Sequence, residues 1–141
     1  MEYRLYTLGK DGKYYRYGNL CFNSATANRN AQKPINAGYI TMCVIYDCKY
    51  PRRRIKAWID GETYYSKYFR LDEKKYAEGI HLYVMENAKD YYNHNLREIE
   101  DEGEPWTETE WALNYSNNSD KLAVWLYQHG YINLVRKTGT D

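Results

Sequence analysis

The sequence predicts an α+β fold in which an antiparallel sheet from the N-terminal half is packed by two or three helices from the C-terminal half. Residues 2–17 and 53–69 each contain two strand-like runs joined by turn residues. Residues 38–46 form a nearly continuous apolar run, as in a strand buried on both faces. From residue 72 onward, apolar residues recur at helical spacing. Strands that come first and helices that come later are typical of α+β folds.

The length and composition indicate a single domain with an aromatic-rich core. The chain has 141 residues, the length of one ordinary domain. Leu, Ile, Val and Phe number only 24, about 17% of the chain, and so low a content would favour disorder if the net charge were high. The net charge is +1, however, and 18 Tyr and 4 Trp supply the missing apolar area.

The first hairpin is predicted over residues 2–17. Residues 2–8 are rich in Tyr and Leu, and the turn cluster at residues 9–12 is followed by a second Tyr-rich run. The Asn-rich residues 18–37 have turn composition, with a short helical turn around Ala25 to Gln32 as an open alternative.

The clearest hairpin joins residues 53–59 to residues 62–69 through Asp60 and Gly61, because an Asp-Gly pair supplies the positive φ angles of a two-residue turn. The turn places Ile59 opposite Glu62, and the pairing continues to Arg54 opposite Lys67. Side chains alternate between the two faces of a strand. The predicted core face comprises Ile55, Ala57, Ile59, Tyr64 and Tyr68. The opposite face is basic and aromatic and comprises Arg54, Lys56, Trp58, Tyr65 and Lys67.

Three helices are predicted in the second half of the chain. Their N-cap candidates are Asp72, Thr107 and Ser119. The first helix keeps its apolar spacing over residues 72–103, and Glu110 completes a capping box at the start of the second. Gly130 suits the left-handed position after the third helix. Residues 131–135 then return to the sheet as a last strand.

The sequence lacks the signals of membrane, secreted, metal-binding and familiar catalytic proteins. No apolar run approaches the ~20 residues of a membrane-spanning helix, and the N-terminus has no signal-peptide layout. We therefore expect a cytoplasmic protein, in the host cytoplasm if a phage encodes it, without membrane contact. Cys21, Cys43 and Cys48 are too few for a disulfide framework, and no His or Cys pair has metal-ligand spacing. Asp90 and His94 lie one helical turn apart and are placed to pair. No catalytic motif is present, so we expect a non-enzymatic protein without metal or cofactor.

Charge is unevenly distributed along the chain. Residues 1–70 carry 13 Lys and Arg against 5 Asp and Glu, whereas residues 71–141 carry 7 against 14. Such asymmetry is a pointer to contact with a polyanion. Two alternatives stay open, namely that the halves neutralise each other internally, or that the basic surface of one copy binds the acidic surface of another in a homo-oligomer.

The basic, aromatic hairpin is the main candidate site. Phosphates attract Lys and Arg, and bases stack on Trp and Tyr, so the pattern favours a nucleic acid or a nucleotide as the ligand. The predicted ligand-binding residues are Arg52, Arg53, Arg54, Lys56 and Lys67 for phosphate and Trp58 and Tyr65 for stacking. Asn28 and Arg29, in the Asn-rich segment, are further candidates. The alternative is a solvated edge hairpin whose charges prevent aggregation.

A second candidate surface is the acidic segment around two tryptophans. Glu108 lies between Trp106 and Trp111, within a segment that carries seven carboxylates over residues 98–110. Acidic groups around exposed tryptophans dock onto basic protein partners, and Trp is a favoured hot-spot residue. The alternative function is therefore a protein–protein inhibitor or adaptor, although acidic runs are more often solvated helix ends.

The short, Tyr- and Asn-rich chain without metabolic motifs resembles, in its composition, small accessory proteins of bacteriophages and mobile elements. Some of those proteins block host defence by binding a nuclease complex or by sequestering a nucleotide signal. The resemblance implies a viral inhibitor of host defence, and no residue position carries over from it.

Overall fold

The computed structural model, which describes residues 1–138, has the predicted α+β fold. Two compact units are present among the described residues: a sheet unit of Met1–Arg70 with residues 132–138, and a helical unit of Leu71–Tyr131. The prediction that they make a single domain stays a prediction. In the part of the chain that is described, no helix is long and apolar enough to cross a membrane.

Within residues 1–138, the sheet has six antiparallel strands in the order β2-β1-β3-β4-β5-β6. The strands are β1 Glu2–Leu8, β2 Tyr14–Cys21, β3 Thr41–Asp47, β4 Arg52–Ile59, β5 Glu62–Tyr65 and β6 Val135–Arg136. β3 lies between β1 and β4, and every β3 residue except Tyr46 is buried. The predicted buried strand is thus confirmed, three residues later than expected at its start. A last strand is present as β6, which pairs with β5, but it shares only Val135 with the predicted residues 131–135.

The hairpin of β4 and β5 has the predicted register. Lys56 is opposite Tyr65 and Ile59 is opposite Glu62, and the turn residues Asp60 and Gly61 have φ angles of 51° and 80°. An Asp-Gly turn therefore fixes which residues share a face, because a pairing shifted by one residue would exchange the two faces.

A β-bulge after β5 changes the predicted face of one tyrosine. Ser66 still pairs with Ile55, through a backbone bond of 2.9 Å, but Arg53 pairs with Phe69. Two residues on the β5 side, Lys67 and Tyr68, therefore oppose the single residue Arg54. The prediction that Tyr68 lies on the core face is wrong: its ring lies 4.0 Å from the Arg52 guanidinium carbon on the basic face.

Ser66 explains why the bulge forms there. Its hydroxyl oxygen accepts from the Ile55 N–H at 2.9 Å, in the place that a backbone carbonyl takes in a regular ladder. The Ser66 carbonyl is then available to accept from Arg54 Nε at 3.0 Å. Ser66 is 3% exposed, so these bonds satisfy polar groups that water does not reach.

Helix α1, Ser24–Asn36, occupies most of the region assigned to turns, and it contains and extends the short helical turn that was the alternative over residues 25–32. The Asn23 side chain caps its start by accepting from the Thr26 N–H at 2.8 Å. Its end has the Schellman pattern, with Gly38 at φ 88° and the Tyr39 N–H donating to the Pro34 carbonyl at 3.0 Å. The helix packs on one face of the sheet, in a buried cluster that comprises Leu5, Ala31, Cys43 and Ile45.

The helical unit contains a 3₁₀ turn, Lys74–Tyr76, and four α-helices. The α-helices are α2 Ala77–Glu86, α3 Ala88–Glu100, α4 Glu108–Asn114 and α5 Asn118–Gln128. The prediction of a single helix over residues 72–103 is wrong. The helix is interrupted at Asn87, whose side chain donates to the Tyr83 carbonyl at 2.8 Å.

The predicted caps are confirmed in part. The Thr107 hydroxyl accepts from the Glu110 N–H at 3.1 Å, as expected. Gly130 has φ 82° and follows α5 in a Schellman motif. Asp72 and Ser119, in contrast, do not occupy N-cap positions. The N-cap of the 3₁₀ turn is Glu73, and the N-cap of α5 is Asn117.

Candidate functional site

The candidate site lies on the face of the sheet that also carries α1. Arg54, Lys56 and Trp58 take alternate positions along β4, and Tyr65 is directly opposite Lys56 on β5. Trp58 packs against the buried cluster beneath α1. All four side chains are half-buried. The structure therefore brings together four of the residues that the sequence predicted for this site, and we call them the Arg54–Lys56 face.

The cations of this face lie over its aromatic rings. The Arg54 guanidinium carbon is 4.2 Å from the centre of the Tyr65 ring. Lys56 Nζ is 4.9 Å from the Trp58 ring centre and 5.6 Å from that of Tyr65. Cation–π contact of this kind holds both side chains against the sheet, so their charges have defined positions.

The positive charge of the face is not neutralised by neighbouring carboxylates. The Arg54 guanidinium donates to the Ser66 carbonyl, and Lys56 Nζ donates to Asn28 Oδ1 on α1 at 3.0 Å. Within residues 1–138, no Asp or Glu side chain forms an ion pair with either cation. Two half-buried cations with only neutral acceptors leave a positive potential that favours an anion.

The other predicted ligand residues are distributed differently. Asn28 belongs to the site through its bond to Lys56, whereas its neighbour Arg29 is exposed on α1. Arg52 is on the same face but is paired with Asp47 at 3.2 Å. Lys67 is exposed in the bulge opposite Arg54.

Arg53 does not belong to the site. Neighbouring residues of a strand point to opposite faces, and the Arg53 guanidinium carbon lies 4.1 Å from the centre of the Tyr46 ring, its cross-strand partner on the other face. The middle one of the three consecutive arginines therefore lies on the opposite face of the sheet from Arg52 and Arg54.

A cavity of about 380 Å³ adjoins one end of the Arg54–Lys56 face. Trp58 lines it together with Ile35 and Gln32 of α1, Tyr39, and the turn residues Asp60 and Gly61. The sequence interpretation missed the contribution of α1, because it assigned residues 18–37 to a turn. The spacing of Ala27, Ala31 and Ile35, at intervals of four, was the available signal.

The acidic segment does not form the predicted exposed tryptophan surface. Trp111 is 2% exposed and packs within the helical unit, with its ring centre 5.6 Å from that of Tyr91. Trp106 is half-buried, 4.6 Å from the His94 ring. Glu108 is engaged by His81, whose Nδ1 lies 2.8 Å from its carboxylate.

The predicted Asp90–His94 pair is not formed either. His94 Nε2 lies 3.5 Å from Glu98 Oε1, and within residues 1–138 its buried Nδ1 has no hydrogen-bond partner. The carboxylate that lies close to His94 is therefore that of Glu98, one turn later in α3, and not that of Asp90, one turn earlier.

Comparison with protein-family models, with curated proteins and with solved structures gives no match. We therefore infer function from the geometry and charge of the residues themselves.

Proposed function

We propose that the chain binds single-stranded nucleic acid on the Arg54–Lys56 face. One observation carries the proposal: two half-buried cations are held against aromatic rings, and within residues 1–138 neither is paired with a carboxylate. Proteins that bind single strands combine cationic grooves with aromatic stacking surfaces. The same combination is present here on one strand pair.

Each residue type has a separate role in this proposal. Arg54 and Lys56 bind neighbouring phosphates, since alternate residues of a strand are about 6.7 Å apart, a separation close to that of successive phosphates in an extended strand. Trp58 and Tyr65 stack against the bases. Asn28 orients the Lys56 ammonium through its 3.0 Å bond and offers an amide to a base edge.

An extended strand fits this face better than an isolated nucleotide. From Arg52 to Trp58 the face follows six residue steps of β4, about 20 Å, and none of its side chains is fully buried. A mononucleotide held in the 380 Å³ cavity beside Trp58 uses the same chemistry. Comparison of ligands of different length distinguishes a site for a single strand from a site for a mononucleotide.

Fluorescence anisotropy with labelled 12-nucleotide poly-dT and poly-rU tests the proposal. We expect the Arg54→Gln/Lys56→Gln double variant to bind about tenfold or more weakly, and Trp58→Ala to lose about 1–3 kcal/mol of binding free energy. Arg53→Gln is the matched control, because Arg53 is an equally half-buried arginine stacked on a tyrosine of the opposite face.

Two results decide against the proposal. Unchanged affinity of the double variant, with thermal unfolding like that of the unsubstituted protein, excludes this face as the site. If a mononucleotide competes as strongly as the 12-nucleotide strand does, the ligand is a nucleotide and not a single strand.

A further inference from the structure

A second site candidate is a cleft of about 590 Å³ within the helical unit. It is lined by residues of α3, α4 and α5 that carry both signs of charge, amides and aromatic rings. The lining residues that matter here are Asp90, Asn93, Arg97, Trp111, Asn118 and Lys121. The cleft is independent of the Arg54–Lys56 face, which belongs to the sheet unit.

The charged groups of the cleft are not paired with one another. Arg97 Nη2 donates a hydrogen bond to the hydroxyl of Tyr115 at 3.4 Å. Over the described part of the chain, neither Arg97 nor Lys121 has a carboxylate within ion-pair distance, and Asp90 has no cationic partner. Opposite charges that line one cleft without pairing suit a ligand that itself carries both charges.

The spacing of these charges follows from the helix. Asp90, Asn93 and Arg97 are separated by three and four residues, so they form one stripe along α3. Asp90 and Arg97 are seven residues apart, which is about 10.5 Å along the helix axis. An extended chain of two or three residues spans about 7–10 Å at 3.3–3.6 Å per residue.

The inner wall of the cleft is formed by buried side chains in fixed positions. Trp111 lines the cleft at 2% exposure, and its Nε1 meets no acceptor among residues 1–138. Asn118, 6% exposed, is held in place because it accepts from the Tyr83 hydroxyl and donates to the Trp111 carbonyl, both at 3.1 Å.

We propose that this cleft binds a short zwitterionic peptide of two or three residues. Arg97 and Lys121 bind its carboxylate, and Asp90 binds its ammonium group. An aromatic side chain of the peptide packs on the half-buried Tyr115 ring, whose centre lies 5.9 Å from that of the buried Trp111 ring. A purely anionic ligand fits less well, because the Asp90 carboxylate repels it.

Isothermal titration calorimetry with the tripeptide Gly-Tyr-Gly tests this assignment. The same peptide is titrated with its amine acetylated, with its carboxylate amidated, and with both ends blocked. We expect each single block to weaken binding about tenfold. We expect Arg97→Gln to weaken binding of the free peptide and to leave binding of the amidated peptide unchanged. We expect Asp90→Asn to weaken binding of the free peptide and to leave binding of the acetylated peptide unchanged.

Lys89→Gln provides the matched control, since Lys89 is an exposed cation of α3 outside the cleft lining and its loss leaves binding unchanged. Three results overturn the proposal: no saturable heat up to about 10 mM peptide, equal binding of the doubly blocked peptide, or displacement of the peptide by uridine monophosphate.

Discussion

The salt dependence of nucleic-acid binding is the sharpest prediction for the Arg54–Lys56 face. Each phosphate neutralised on a single strand contributes about 0.7 to the slope of log affinity against log salt concentration. Arg54 and Lys56 are the two unpaired cations of the face in the described chain, so the slope should be about −1.4. Affinity should then fall about sevenfold between 50 and 200 mM salt.

Substitution of both cations should remove this dependence. We expect the affinity of Arg54→Gln/Lys56→Gln for 12-nucleotide poly-dT, measured by anisotropy over that salt range, to be nearly constant, because stacking on Trp58 and Tyr65 carries no counterion release. Arg53→Gln should retain the full slope. The reasoning is refuted if the double variant keeps a slope near −1.4, or if the Arg53 control loses it.

Three further predictions concern stability. Asn23→Ala removes the side-chain cap of α1 and should lower the free energy of unfolding by about 1 kcal/mol in urea titrations; an unchanged midpoint would show that the cap contributes nothing. In Gly79→Ala, the added Cβ would lie 2.5 Å from Cδ2 of fully buried Leu126, so overpacking of about 1–3 kcal/mol should outweigh the helix propensity gained, and a higher melting temperature would contradict this. Burial raises the pKa of Tyr83 above its usual value of 10.0, so the unfolded chain loses the hydroxyl proton at a lower pH than the folded chain does. The contribution of Tyr83 to the free energy of unfolding is therefore fully present below pH 10 and should decline as the pH rises further. Tyr83→Phe should make the decline shallower in urea titrations at alkaline pH, and an identical pH profile would exclude Tyr83 as its source.

The β4–β5 hairpin shows what local sequence can predict. The pair Asp60-Gly61 requires a two-residue turn, and alternation then assigns Lys56 and Trp58 to one face. The bulge at Ser66 was not predictable in the same way, because it depends on a hydroxyl that takes over a backbone hydrogen bond from the partner strand. Tyr68 changed faces as a consequence.

Helices were predicted less well where polar residues dominate. Asn has low intrinsic helix propensity, so residues 18–37 were assigned to turns, with only a short helical turn over residues 25–32 as the alternative. Packing of Ala27 and Ala31, 1% and 0% exposed, outweighs that propensity. No local sequence signal predicted that a helix would end at Asn87. Its side chain nevertheless donates to the Tyr83 carbonyl at the end of α2.

The two candidate sites differ in how far sequence could identify them. Arg54 and Lys56 are close in sequence on one strand, so their association follows from alternation alone. The cleft of the helical unit requires α3, α4 and α5 to meet, which no local pattern specifies. Trp111 illustrates the difficulty: its acidic neighbours predicted an exposed ring, whereas the helix turns that ring inward and leaves Glu110 outside.

Ultraviolet cross-linking tests the central claim most directly. An oligonucleotide that contains 5-iodouridine is irradiated with the protein, which is then digested with trypsin and analysed by mass spectrometry. Stacking on the Arg54–Lys56 face predicts cross-links in the peptide of residues 57–67, which contains Trp58 and Tyr65. Cross-links confined to peptides of residues 71–131, with none on residues 57–67, would contradict the assignment of nucleic-acid binding to this face.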